Sequence, residues 1–211
     1  MKSRTALAIH ADHASFECAC GVIKRPTHRN TPWDAAKYEV AGHRFADLSE
    51  PGFGVALLND GKYGHDVMGN VIGLSLLRSP VYPDLLADEG RQSFIYALLP
   101  HFGDWHEGGV LAEAEDLNQP LLAVPAQVDR DETWPAVQVQ GRLALSALKP
   151  DEGGTGLILR LYEPAGDRVQ PQIAVPDGWT LGPQVNLLEE PVAGDTTFGP
   201  FQIRSFRLVR T

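Results

Sequence analysis

Two stretches of this 211-residue chain concentrate the side chains that chemistry requires. "RPTHRNTPWD" (25–34) brings together Arg25, His28, Arg29, Asn30, Trp33 and Asp34, and "NDGKYGHDVMGN" (59–70) brings together Asp60, Tyr63, His65 and Asp66. An arginine fork can hold a carboxylate or a vicinal diol through two parallel hydrogen bonds. An aromatic face can pack against the C–H side of a pyranose, with polar groups around it to fix orientation. Trp33, Tyr63, Trp105 and Arg78 would build a sugar-binding rim on these grounds. The plainer reading of the same residues is core tryptophans and structural salt bridges.

Other chemistries find less support. The seven histidines form no HExxH pair, and a cupin-like metal site drawing on His28, His43 and His65 would lack the usual His-x-His. General acid–base work needs two facing carboxylates. Asp34, Asp47, Asp60, Asp66, Asp84, Asp88 and Asp104 are available, but next to Gly and Asn most of them read as turn and cap residues. No GxSxG elbow, P-loop or dinucleotide fingerprint occurs. Cys18 and Cys20 fall two apart on one expected strand, too far along it for an easy disulfide, and read as buried thiols of a reducing compartment. A metal half-site there would have no second pair to complete it.

The bulk numbers set the frame for these candidates. A net charge of −9 with scattered basic residues excludes a surface that tracks a phosphate backbone, so no nucleic-acid partner is expected. The N-terminal apolar run is broken by His10 and Asp12, no stretch is long enough for a membrane helix, and a cytoplasmic location is expected. Sixteen prolines and twenty-one glycines suit a β-rich chain with many turns.

Period-two patterning supplies the elements. "AVQVQGRLALSAL" alternates Val137, Val139, Leu143, Leu145 and Ala147 with polar residues and reads as one strand. "KPDEGGTG" is the hairpin connection to "GLILRLYEP". In "FQIRSFRLVR" the apolar face slips by one residue, which predicts a bulge near Arg204–Ser205. "FGVALLN" (53–59), "NVIGLSLLR" (70–78) and "QSFIYALLP" (92–100) are apolar on both faces and read as central, doubly covered strands. Arg78, at the end of the second, must leave the core or be buried against a carboxylate. Only "VLAEAEDLN" (110–118) reads as a helix. A seam at 119–135 separates strands with aromatic-rich loops from plain hairpins, so the expected fold is all-β, either layered antiparallel sheets or two sandwich lobes.

These motifs together resemble a known family. The run "RPTHRNTPWDAAKYEVAGHRFADLSEPGFGVALLNDGKYGHDVMGNVIGLSLLRSPVYPD", followed by "SFIYALLPHFGDW", "LILRLYEPAG", "VNLLEEP" and "FGPFQIRSFRLV", is similar to the C-terminal region of glycoside hydrolase family 38 α-mannosidases of the cytosolic and vacuolar branch. The resemblance spans roughly residues 14–210. It implies an antiparallel β-sandwich of the galactose mutarotase-like (supersandwich) type over 1–120, with a smaller C-terminal sandwich lobe over 121–211. It implies a retaining, zinc-dependent hydrolysis of terminal α-mannosides in which this region supports an N-terminal α/β barrel and helical domain. The zinc ligands and the nucleophile belong to that barrel, so the resemblance implies a C-terminal fragment, or the product of a split or truncated gene, that is inactive alone and has no catalytic or metal residue of its own. Arg78, with Asp60, Tyr63 and Asp84 as neighbours, is then the match for an arginine that borders the sugar site. Arg25, His28, Arg29, Asn30, Trp33 and Asp34 would order an interdomain loop. Gly73 and His65 depart from the family pattern, which commonly carries a larger residue and a tyrosine there. Mannose-containing glycans are the implied ligands, and greasy strands 53–59 and 70–78 predict an exposed docking face that could drive self-association. A free-standing carbohydrate-binding sandwich using Trp33, Trp105 and Arg78 is the alternative.

Overall fold

A computed structural model describes residues 1–125 and 137–211, so the greater part of the expected seam at 119–135 lies outside the described residues. The chain divides into two compact units, the first comprising 1–19 with 23–123 and the second 20–22 with 124–211.

The first unit runs β1 (Lys2–Ala6), β2 (His13–Cys18), β3 (Gly21–Pro26), α1 (Pro32–Ala36), β4 (Val40–Ala41), β5 (Phe45–Glu50), β6 (Phe53–Asn59), β7 (Gly64–Met68), β8 (Val71–Ser75), β9 (Tyr96–His101) and α2 (Val110–Asn118). One sheet has the order β1-β8-β7-β4 and the other β3-β2-β5-β6-β9. Alternation dictates what lies between them. Ile72 and Leu74 of β8 meet Phe16 of β2, Ala46 and Leu48 of β5, and Val55 and Leu57 of β6 in one buried cluster. The intervening residues of β6, Ala56 and Leu58, are buried too, on the face where α2 contributes buried Val110 and Ala114. The doubly apolar pattern of 53–59 is therefore explained: this strand is covered on both sides.

Strand 92–100 departs from expectation. Only Tyr96–His101 forms a strand, and it pairs with β6 alone at the edge of its sheet, with Ile95, Tyr96 and Leu98 exposed. Its apolar residues face outward rather than into a core. Strands β6 and β8, within the segments 53–59 and 70–78 expected to expose a docking face, are largely buried, Phe53 excepted, while β9 and the 81–86 loop are among the places where apolar groups are exposed. The N-terminal strand β1 was not anticipated; it pairs with β8 along its whole length.

The second unit contains β10 (Gln138–Gln140), β11 (Ala144–Pro150), β12 (Gly156–Tyr162), β13 (Gln172–Ala174), β14 (Trp179–Val185) and β15 (Ile203–Arg210). Its four-stranded sheet has the order β11-β12-β15-β14, and β10 pairs with β13. Leu159, Leu161, Phe198, Phe206 and Leu208 form the buried core, with Val139 and Ile173 packed against it. The single strand expected over 137–147 is two strands in different sheets, broken at Gly141, whose φ of +138° no side-chain-bearing residue adopts comfortably. The bulge expected in 201–210 is absent: β15 pairs with β12 in unbroken register from Ile203 to Val209, and the irregularity falls on the other side, between Leu181 and Gln184 of β14. The apparent slip arose because Phe201 and Ile203 are half-exposed and do not share the face of Phe206 and Leu208.

Candidate functional site

The 25–34 segment leaves β3 and turns into α1, a single helical turn built by its own sequence. Thr31 caps it, its Oγ1 accepting from the Asp34 N–H at 3.1 Å and donating to Asp34 Oδ2 at 2.8 Å, with Pro32 in the first turn. Thr27 anchors the approach: its hydroxyl donates to the Ala11 carbonyl at 2.6 Å and its carbonyl accepts from the Gly69 N–H at 2.8 Å. The Arg25 guanidinium lies 4.8 Å from the Phe16 ring centroid, and its Nη1 is buried without a hydrogen-bond partner. His28 Nδ1 is 3.7 Å from Asp34 Oδ2 and accepts from the Asn30 N–H at 3.4 Å. Arg25, His28, Arg29, Asp34 and Lys37 thus ring a small hollow floored by Phe16, Val40 and Val67. Trp33, in the α1 turn beside Asp34, is 80% exposed.

The other group is dispersed. Tyr63 is exposed and lies edge-on to His43, with ring centroids 5.4 Å apart. Asp60 is exposed, and its N–H donates to the Ile95 carbonyl at 3.1 Å. Arg78 lies past the end of β8 and leaves the core into solvent, while Asp84 caps its own turn, its Oδ1 accepting from the Leu86 N–H at 2.9 Å. No hydrogen bond or ion pair among the described residues joins any two of Arg78, Asp60, Tyr63 and Asp84. Trp105 leaves the expected sugar rim altogether: it is 5% exposed, packed 6.0 Å from the Phe45 ring. Cys18 ends β2 while Cys20 sits in the following turn at φ 57°, and both are free and half-exposed rather than buried together.

Three polar clusters went unnoticed in the sequence. On the outer face of the first sheet, Arg4 donates to Asp66 Oδ2 at 2.8 Å, Lys2 meets Glu39 at 2.9 Å, and Ser75 donates to Glu39 Oε1 at 2.5 Å. The Ser75 hydroxyl, then Lys2, hold the Glu39 carboxyl below its ordinary range. Gly73 leaves room there for the Asp66 carboxylate, which an added Cβ would displace. Gly73 is one of the two residues expected to depart from the family pattern. The other, His65, is fully buried, with Asn59 Nδ2 3.4 Å from its Nε2 and Gly42 against its ring. Burial lowers its pKa to about 4. The third cluster joins β5 to β9: His101 Nε2 lies 2.8 Å from Asp47 Oδ1, and the Ser49 hydroxyl donates to Asp47 Oδ2 at 2.6 Å. Burial raises the Asp47 carboxyl, against the opposing pull of Ser49 and His101. The signal for the first cluster was present in the alternation of Lys2 and Arg4. The His101–Asp47 pair, 54 residues apart in sequence, had none.

Among the described residues no group of three or more His, Cys, Asp or Glu side chains could hold a metal ion. No helix is long and apolar enough to cross a membrane.

Residues 1–85 match the family described as Glycosyl hydrolases family 38 C-terminal domain, and residues 142–206 match its C-terminal beta sandwich domain. The chain belongs to the C-terminal region of glycosyl hydrolase family 38. It is 44% identical to Alpha-mannosidase 2C1 of Mus musculus over 216 aligned residues, covering 95% of this chain and 21% of the relative. It is 35% identical to Alpha-mannosidase G of Dictyostelium discoideum, covering 95% of this chain and 20% of that protein. The chain therefore spans about a fifth of the length of these relatives. An alpha-mannosidase from Enterococcus faecalis V583 shares the fold, with a TM-score of 0.79 over 98% of this chain and 25% of that one at 17% identity. The family resemblance and the antiparallel β-sandwich architecture expected from the sequence are both upheld.

Proposed function

We propose that this chain is the C-terminal β region of a retaining, zinc-dependent α-mannosidase, supporting a catalytic domain outside it and unable to hydrolyse glycosides alone. The observation that carries the reading is the commitment of its buried acids. Glu17 is held by Arg44, Asp47 by His101 and Ser49, and Asp66 by Arg4. Asp151 accepts the Thr155 and Gly156 N–H groups, Glu163 accepts those of Ala165, Gly166 and Phe201, and Glu189 accepts from Lys149. A retaining glycosidase needs an acid/base and a nucleophile about 5–5.5 Å apart across the sugar. Carboxylates already engaged by a cation, a histidine or backbone N–H groups of a sheet or turn are structural members; Asp66 keeps its Oδ1 without a hydrogen bond, with Lys2 Nζ 3.8 Å away. Among the described residues no three His, Cys, Asp or Glu side chains group to hold zinc, and the reading assigns the metal to the companion α/β barrel and helical domain.

Within this reading, the 25–34 segment and Arg78 face that companion, with Asp60, Tyr63 and Asp84 near the arginine. The assembled enzyme acts on mannose-containing glycans in the cytoplasm, and self-association runs through the apolar residues of β9. Purified chain incubated with an aryl α-mannoside, with and without added zinc, is expected to release no aryl alcohol above buffer. Sustained turnover that co-purifies with the chain would overturn the reading.

The alternative, a free-standing carbohydrate-binding sandwich, is favoured by the exposure of Trp33, although Trp105 is withdrawn from it.

A further inference from the structure

We infer that the groove at one end of the β11-β12-β15-β14 sheet is a second, non-catalytic binding site for a neutral pyranoside of the mannose type. The choice of mannose rests on the α-mannosidase reading; the groove itself does not. It encloses about 860 Å³, within the range of about 300–1,000 Å³ typical of small-molecule sites.

Its parts have the chemistry of sugar recognition. Trp179 and Arg210 are direct cross-strand partners, with the guanidinium 5.3 Å from the indole centroid. The indole is half-exposed, one edge packed on the core beside Leu208 and Leu181. Leu148 and Leu157 continue the apolar floor. Asp177 and Thr155 stand on opposite rims, both exposed. A pyranose presents one C–H face and a periphery of hydroxyls that donate and accept. Because the Arg210 guanidinium lies over the indole, the pyranose C–H face would meet the Leu148 and Leu157 floor and the exposed part of the indole, while the Asp177 carboxylate, the guanidinium and the Thr155 hydroxyl face its hydroxyls.

Charge selects a neutral ligand. Asp177 and Arg210 oppose each other in sign, and Lys149 is already held by Glu189 Oε1 at 2.6 Å. The remaining charges of the lining, Asp177 and Arg210, therefore sum to zero, which favours a neutral ligand over an anion.

Both rims are rigid, so ordering costs on binding are small. On one side Asp151 Oδ1 accepts the Thr155 N–H at 2.8 Å and the Gly156 N–H at 3.1 Å, closing the β11–β12 turn. On the other, the Trp179 N–H donates to the Pro176 carbonyl at 3.1 Å, Gly178 takes φ +82°, and the Thr211 N–H donates to the Gly178 carbonyl at 3.0 Å. These are turn geometries that present Asp177 and Thr155 without mobile loops. A sugar held here would keep a branched glycan near the enzyme while another branch reacts, raising its effective concentration.

The test is NMR titration of the 211-residue chain with methyl α-D-mannopyranoside and with a mannotriose, following the indole N–H resonance of Trp179. A saturable shift in the millimolar range is expected. Asp177→Ala and Arg210→Ala, both exposed and harmless to folding, should each weaken binding at least about tenfold, as removal of a hydrogen bond to a charged group does. Trp179→Phe should retain the fold and weaken binding less, while Trp33→Ala should leave it unchanged. Absence of saturation with both sugars, wild-type affinity in Asp177→Ala and Arg210→Ala, or loss of binding in Trp33→Ala would each overturn the assignment. A negative titration leaves the hydrolytic reading standing. Conversely, a complete enzyme that binds at this groove but cleaves no mannoside would sink that reading and spare the site.

Discussion

His65 is buried without a charged partner in contact, and desolvation holds its imidazole neutral to a pH of about 4. Arg25 opposes its protonation, whereas Asp66 and Glu39 favour it only weakly. The unfolded chain takes up a proton on this histidine near pH 6.5 and the folded chain does not. Stability from this residue is thus complete above pH 6.5 and is lost as pH falls toward 4. The loss between pH 7 and 5 should be about 2 kcal/mol, read as a falling urea midpoint, and His65→Phe should flatten that slope. A slope unchanged in His65→Phe would show that another group titrates. Asp47 poses the opposite case: raised by burial, it is tolerated because His101 and Ser49 occupy both oxygens. Asp47→Ala strands His101 in the core and should cost about 3–5 kcal/mol, with Asp47→Asn costing less because it keeps the hydrogen bonds. Equal stability of all three proteins by denaturant titration would remove the pair from the account.

Gly156 begins β12 where a Cβ would stand 2.5 Å from the Leu208 carbonyl oxygen, a backbone atom that cannot step aside. Gly156→Ala should destabilise the second unit by about 1–3 kcal/mol, measured as a lower Tm, while Gly199→Ala, whose Cβ would meet nothing nearer than Gln202 Oε1 at 3.6 Å, should be close to neutral. Strand and helix existence was written clearly at this scale. The doubly apolar run of β6, the β11–β12 hairpin and the helix at 110–118 were all legible, because periodicity and Gly/Asp turn chemistry are local. Edge position was not. The run at 92–100 carries the same composition as β6, yet its second neighbour is missing, and no local pattern reports how many strands flank a strand. The break at Gly141 was hidden for the reason that alternation continued across it. The candidate site divides the same way: the Thr31–Asp34 cap is sequence-local, whereas the His101–Asp47 pair and the Trp179 groove exist only once distant strands align.

At the scale of the whole molecule, the chain is two antiparallel β units with their own cores, bearing a net charge of −9 and a set of exposed apolar side chains on β9 and its approaches. Tyr96 and Leu98 of β9, which is the edge strand of its sheet among the described residues, and Phe102 just after it are 41%, 44% and 77% exposed. Such an edge invites association. Sedimentation should show concentration-dependent self-association that Leu98→Lys reduces; a monomer at all concentrations would contradict it. The sheets use their buried acids to hold themselves together, and the account gives hydrolysis to a companion domain. The most direct measurement is therefore mannoside turnover on recombination: this chain alone, the remainder of the polypeptide alone, and the two expressed together. The account predicts full turnover only for the pair and none for this chain. Comparable turnover by the isolated chain, or undiminished turnover by the remainder without it, would contradict it.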